Sequence, residues 1–121
     1  MTVRQLLDEL ALVKPHAYPE SELMNWLTHY DGIFYDEVLS NYPDTRGTLP
    51  PTYTEDTQEL MLKPPFTQIY LLLLMAMVDF FNGDFEAFNN DGDLFAAEVR
   101  TWADSMSRTH KADTVPLSVL S

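Results

Sequence analysis

The sequence predicts an all-α domain: a bundle of four main helices with a central antiparallel helical hairpin and one long loop. Residues 69–78 are ten consecutive apolar or aromatic side chains, extended by Phe80 and Phe81, and such a run must be buried. Between Phe85 and Met106 apolar side chains recur at alternating intervals of three and four, which is the period of a packed helix. Residues 41–63 are rich in proline and threonine, which favours a loop.

Length and composition indicate one domain. The chain has 121 residues, and we predict a single helical domain over residues 1–112 followed by a flexible C-terminal tail, residues 113–121. The absence of cysteine excludes disulfides, zinc-thiolate sites and cysteine nucleophiles. Asp8 and Glu9 stand where a secretory signal would have its apolar region, so we expect a cytoplasmic product. The apolar run is shorter than the ~20 residues of a membrane span, so we expect no membrane partner.

The charge is strongly acidic and is distributed in blocks. Nineteen acidic side chains against seven basic ones give a net charge of -12. No lysine or arginine occurs between Lys14 and Arg46 or between Lys63 and Arg100, and each interval holds six carboxylates. Because such a surface repels phosphate backbones, we expect no sequence-specific binding of nucleic acid. Two interpretations remain: the carboxylates keep the protein soluble, or they face nucleic acid without adhering to it.

Capping and stop signals delimit the two amino-terminal helices. Thr2 and Gln5 have the spacing of a capping box, and Lys14-Pro15 ends the first predicted helix. Pro19 opens the second, which runs to about Leu39 along one apolar stripe. That stripe consists of Leu23, Trp26, Leu27, Tyr30, Ile33, Phe34 and Val38. We expect this helix to pack on the central apolar run.

The third and fourth predicted helices form the hairpin. The third runs from Pro65 to about Asn82, and Asn82-Gly83-Asp84 breaks it. The fourth carries a heptad seam of Phe85, Phe88, Gly92, Phe95, Val99, Trp102 and Met106. Gly92 weakens the helix at a seam position, which indicates either a close contact between helices or a local break. In the loop before the hairpin, a short hairpin or edge strand is expected around Tyr53 or residues 60–62.

No pattern in the chain carries catalytic or ligand-binding chemistry. With Gly92 at position six of a calcium loop, position one is Ala87, which has no side-chain oxygen. The histidines His16, His29 and His110 are far apart and lack metal-ligand spacing. Glycine-rich phosphate loops and nucleophile elbows are absent. We therefore predict no catalytic residue, no metal ligand and no cofactor, and a protein that is not an enzyme.

Three segments together resemble a family of small phage and prophage proteins. They are residues 23–27 (LMNWL), residues 64–90 with the motif MAMVDFFNGDF, and Trp102 with Arg108-Thr109-His110. The family is that of head-to-tail connector, or adaptor, proteins of long-tailed phages of Gram-positive bacteria. The resemblance implies a small helical bundle that assembles as a homo-oligomeric ring under the portal, without enzymatic activity. Its partners would be the portal protein and other neck or tail-completion proteins, and its location would be the virion neck, after the host cytoplasm.

Ring assembly needs contacts between different surfaces of neighbouring subunits, for which loops and tails are suitable. We therefore expect interface residues in the loop, at Leu49 and Tyr53, and in the tail, at Leu117, Val119 and Leu120. The tail residues are either a frayed end or a strand that adds to a partner's sheet edge. The alternative function is an acidic regulatory module, for example a nucleic-acid mimic that inhibits a DNA-binding enzyme.

Overall fold

The computed structural model of the protein describes residues 1–110, and these residues are mostly helical. The elements are α1 (Val3–Val13), α2 (Glu20–Glu37), a 3-10 helix (Leu39–Asn41), α3 (Pro43–Arg46), α4 (Gln68–Phe81) and α5 (Phe85–Thr109). The predicted all-α class is confirmed. Residues 1–110 hold five α-helices rather than four, because the loop contains the short helix α3, with Pro43 in its first turn. The predicted tail, residues 113–121, lies outside the described residues.

The amino-terminal helices begin and end close to where the sequence predicts. The N–H of Gln5 donates to Thr2 Oγ1 at 3.2 Å, and the N–H of Thr2 donates to Gln5 Oε1 at 2.9 Å, which is the predicted capping box. α1 buries one face, made of Val3, Leu6, Leu7 and Leu10. α2 follows after Pro19 and stays helical through Gly32. Both helices pack against α4.

α4 is the centre of the fold. Ile69, Tyr70 and Leu74 are fully buried, and α1, α2 and α5 all contact this helix. Each large apolar side chain buried in this way stabilises the fold by about 1.5–3 kcal/mol, so α4 is a main source of stability. The helix begins later than predicted, at Gln68, because residues 64–67 form a turn in which the N–H of Phe66 donates to the carbonyl of Lys63.

A tight turn joins α4 to α5 and reverses the chain. Gly83 has a φ of 77°, a left-handed conformation that favours glycine. The N–H of Asp84 donates to the carbonyl of Asp79 at 2.9 Å, and the Asp84 side chain caps α5 by accepting from the N–H of Ala87 at 3.2 Å. α4 and α5 therefore run antiparallel and pack along each other, as predicted.

The seam of α5 is less buried than the sequence predicts. Trp102 is 2% exposed, whereas Phe95 and Val99 are partly buried and Phe85 is 59% exposed. The helix continues through Gly92, and a Cβ built there meets no atom within 4 Å. Both predicted explanations of this glycine, a close contact and a helix break, are therefore wrong. α5 lies at the edge of the molecule and keeps one long flank exposed.

The loop between α3 and α4 is held by the amino terminus. The N–H of Val3 donates to the carbonyl of Gln58, and the N–H of Leu60 donates to the carbonyl of Met1, both at 2.9 Å. An isolated antiparallel bridge pairs Thr2 with Glu59, and residues 1–110 contain no strand. The predicted hairpin or edge strand in this loop is therefore wrong, because the loop pairs with the chain before α1 and not with itself.

Candidate interaction surface at the hairpin tip

The end of the hairpin formed by α4 and α5 exposes three phenylalanines. Phe80 is 46% exposed, Phe81 is 52% exposed and Phe85 is 59% exposed. Asp79 is the last buried residue of α4, so the helix leaves the core just before Phe80. The tip is therefore an apolar surface and not part of the core.

Aromatic rings from three parts of the chain meet at this tip. The hairpin-tip cluster consists of Tyr18, Trp26, Phe80, Phe81, Phe85 and Phe88. The ring centroid of Phe80 lies 5.3 Å from that of Phe88 and 6.1 Å from that of Phe85. Phe81 stacks on Trp26 at 5.3 Å with an interplanar angle of 9°. Ring pairs of this kind contribute about 0.5–1.5 kcal/mol each, which holds the exposed rings in fixed positions.

A half-buried ion cluster fixes the tip to α1. Lys14 Nζ lies 2.5 Å from Asp79 Oδ1 and 3.0 Å from Asp91 Oδ2, so one ammonium group joins the ends of α1, α4 and α5. Burial lowers the pKa of Lys14, but its hydrogen bonds to the two carboxylates outweigh that effect and the net shift is upward. Burial raises the pKa of Asp79, and Asp91 adds to that rise while Lys14 opposes it. The positive charge of Lys14 is thus paired with the carboxylates of Asp79 and Asp91.

Further apolar and acidic side chains surround the hairpin-tip cluster. Leu12 and Val13, which precede Lys14, are 84% and 53% exposed at the same end of the molecule. Asp84 and Glu86 are exposed on either side of Phe85. The chain has no lysine or arginine between residues 63 and 100. The tip therefore combines an apolar centre with a rim of negative charge.

The structure separates the two loop residues that were expected at an interface. Leu49 is 73% exposed, and its contact with a partner stays a prediction. Tyr53 is 3% exposed, and its contact with a partner also stays a prediction. The three expected tail residues, Leu117, Val119 and Leu120, lie outside residues 1–110.

Tyr53 belongs to a buried polar network with Asp31 and Tyr70. Its O–H donates to Asp31 Oδ2 at 2.5 Å, and the O–H of Tyr70 donates to Asp31 Oδ1 at 2.8 Å. The same hydroxyls accept from the N–H groups of Met61 and Leu62 at 2.9 and 2.8 Å. The network ties the loop to α2 and α4. Burial raises the pKa of Asp31 to about 6, although the two tyrosine hydrogen bonds act in the opposite direction.

A cavity lies near the carboxyl end of α5, away from the tip. Its volume is about 370 Å³, and its lining includes Leu39, Met61, Phe66, Trp102, Met106 and His110. His110 Nδ1 lies 3.3 Å from Asp44 Oδ2, but Asp44 is an exposed residue. The lining is largely apolar, and it also includes the hydroxyl groups of Ser105 and Thr109 and the imidazole of His110.

Neither metal-ion geometry nor a membrane-spanning helix is found in the described part of the chain. Among residues 1–110, no group of three or more histidine, aspartate or glutamate side chains is placed to hold a metal ion. No helix of the same residues is both long enough and apolar enough to span a bilayer.

Sequence reasoning missed the hairpin tip as a surface. It placed Phe80 and Phe81 in the buried run and Phe85 in the seam, because it treated apolar character as burial. One signal could have found the tip: two adjacent phenylalanines precede a polar turn, Asn82–Asp84, and so occupy diverging positions on a helix that is about to end.

Comparisons of the chain with protein-family models, with curated proteins and with solved structures give no match.

Proposed function

We propose that this chain is a structural protein of a phage neck: a non-catalytic head-to-tail connector that assembles as a ring beneath the portal. The observation that carries the proposal is the position of residues 79–85, DFFNGDF, the central motif of the family resemblance. The three phenylalanines of this motif are 46–59% exposed at the hairpin tip. Exposed rings add little to the stability of a monomer, and contiguous exposed apolar surface is typical of interaction sites.

The positions of the exposed apolar side chains support the proposed ring assembly. In a ring, one surface of a subunit contacts a different surface of the next subunit. The hairpin tip and the loop at Leu49, which is 73% exposed, present apolar surface in two different parts of the chain. These surfaces support contacts to the portal and to neighbouring subunits.

The charge of the chain also supports a neck location. A ring through which DNA passes must not hold the duplex, and a net charge of -12 repels phosphate groups. The proposed partners are the portal protein and other neck or tail-completion proteins. The proposed location is the virion neck, after synthesis in the bacterial cytoplasm.

The proposal is tested by mixing the purified protein with the portal protein of the same genome. Sedimentation velocity and negative-stain electron microscopy would show a ring of this chain seated on the portal ring. The double variant Phe80→Ser with Phe85→Ser should lose this assembly, whereas Leu94→Ser, an equally exposed apolar residue on α5, tests whether the effect is local. Circular dichroism checks that each variant is folded.

A lack of binding between folded wild-type protein and the portal would overturn the proposal. The alternative, a nucleic-acid mimic, predicts a different result: tight one-to-one binding to a DNA-binding enzyme that added DNA reverses. The same purified protein serves both experiments. A connector should bind the portal and not the DNA-binding enzyme, whereas a nucleic-acid mimic should do the reverse.

A further inference from the structure

We infer that the hairpin tip binds an apolar segment flanked by lysines or arginines, and that this segment belongs to a different protein and not to a second copy of this chain. The inference deepens the proposed function and rests on it, because it names the chemistry of the partner at the tip. Its basis is the combination of ordered exposed rings with a rim of one charge.

The exposed rings of the tip form the apolar part of the proposed binding site. Phe80, Phe81 and Phe85 are about half exposed, and each packs against at least one other ring of the hairpin-tip cluster. Side chains that are ordered before binding lose little conformational entropy when a partner covers them. A partner that places apolar side chains between these rings therefore gains the full benefit of burying them.

The charged half of the recognition follows from the carboxylates around the rings. Glu86 and Asp84 flank Phe85, and both are exposed. The nearby lysine, Lys14, is paired with Asp79 and Asp91 and offers no free positive charge. A partner that covers the rings must bring its own charges close to Glu86 and Asp84, and basic side chains are the ones attracted there.

A second copy of the chain is the wrong partner for the same reason. A second copy carries the same net charge of -12, so a tip placed on any of its surfaces, another tip included, brings two strongly acidic molecules together. Like charges placed opposite each other disfavour association. Contacts between ring neighbours would therefore use other surfaces, and the tip is left for a basic partner.

In the test, the full-length protein is titrated with two synthetic amphipathic peptides that have identical apolar faces. One peptide has only lysines on its polar face, and the matched peptide has only glutamates. Isothermal titration calorimetry should show binding of the lysine peptide that weakens as salt is raised from about 0.05 M to about 0.5 M. The glutamate peptide should show no measurable binding. Equal binding of both peptides, or none of the lysine peptide, would overturn the inference.

Two pairs of variants locate the binding. Phe85→Ser should lower the affinity for the lysine peptide about tenfold or more, whereas Leu94→Ser should leave that affinity unchanged. Glu86→Lys should weaken it several-fold, whereas Asp104→Lys, the same charge change near the other end of α5, should have little effect. Amide chemical shifts in residues 79–88 should move on titration. Equal losses within either pair would show binding that is not localised on the surface of the protein, and would contradict a site at the tip.

The outcome is separable from the proposed function. If the portal assembles with the chain but the lysine peptide does not bind, the connector function stands and the chemistry of the tip is wrong. If the lysine peptide binds at the tip but the portal does not, the tip chemistry stands and the connector function is wrong. A second copy at the tip would appear as concentration-dependent self-association that Phe85→Ser abolishes.

Discussion

Asp31 makes the stability of this protein depend on pH in an unusual direction. The side chain is 0% exposed and receives hydrogen bonds from the hydroxyls of Tyr53 and Tyr70. Within residues 1–110, no lysine or arginine contributes to the shift in the pKa of Asp31. Burial therefore dominates, and it favours the neutral carboxyl group.

The magnitude follows from the pKa of Asp31, which is about 6 in the folded protein against an ordinary value of 3.8. Because the folded-state pKa is raised, this stabilisation is fully present below the unfolded-state pKa and is lost as pH rises through the folded-state value. From pH 4 to pH 7 the free energy of unfolding should therefore fall by about 2–3 kcal/mol on account of Asp31. A carboxylate paired with a positive charge usually has the opposite effect, because its folded-state pKa is lowered and stability increases as pH rises.

The assay is urea denaturation, followed by circular dichroism, at a series of pH values between about 4 and about 7. Asp31→Asn imitates the neutral carboxyl group and should lack this part of the pH dependence. The difference in unfolding free energy between wild type and Asp31→Asn cancels the other carboxylates and should change by about 2–3 kcal/mol over this range. Asp36→Asn, an exposed carboxylate on the same helix, removes the same charge as a control.

A constant difference between wild type and Asp31→Asn across this pH range would refute the reasoning. So would a wild-type protein that gains stability relative to the variant as pH rises, because that result requires a folded-state pKa of Asp31 below its unfolded-state value. An equal effect of Asp36→Asn would assign the change to net charge and not to burial.

Three further predictions use the same denaturation measurement. Thr2→Ala should cost about 1 kcal/mol through loss of the cap of α1, and Thr2→Ser, which keeps the hydroxyl, should restore most of it. Lys14→Met should cost about 2–3 kcal/mol, since it leaves the buried carboxylate of Asp79 without its cation; wild-type stability in this variant would contradict the ion cluster. Leu74→Ala, at a 0% exposed position, should cost about 2–5 kcal/mol. Leu49→Ala, at a 73% exposed position, should change stability by less than about 0.5 kcal/mol, and equal effects of the two would contradict the assigned core.

Local signals in the sequence were sufficient for the main helices. The capping box at Thr2, the apolar run of α4 and the turn at Gly83 each act through neighbours in the chain, so their patterns identify elements directly. The loop before α4 could not be predicted in the same way. Its backbone partners lie in residues 1–4, and a pairing between distant segments leaves no mark in the spacing of either one.

The candidate site was harder to predict than the fold because exposure is decided by where the core ends. Tyr53 is in a proline-rich loop that has the composition of a surface segment, yet its hydroxyl meets Asp31 in the interior. Phe80 has the apolar side chain of a core residue, yet it lies beyond the last buried residue of α4. Apolar character states which side chains favour burial, but only the packing of α1, α2 and α5 around α4 decides which of them achieve it.

Asp79 connects the stability of the fold to its surface. Its side chain is buried at 3% exposed, and its Oδ2 has no hydrogen-bond partner among residues 1–110. Desolvating a carboxylate is costly, and an apolar residue at this position would add to the core of α4 without that cost. What Asp79 provides instead is an anchor: through Lys14 it holds the end of α1 against the turn that displays Phe80, Phe81 and Phe85. The ion cluster therefore stabilises the helix end that carries the three exposed rings, which is the surface proposed to bind a partner.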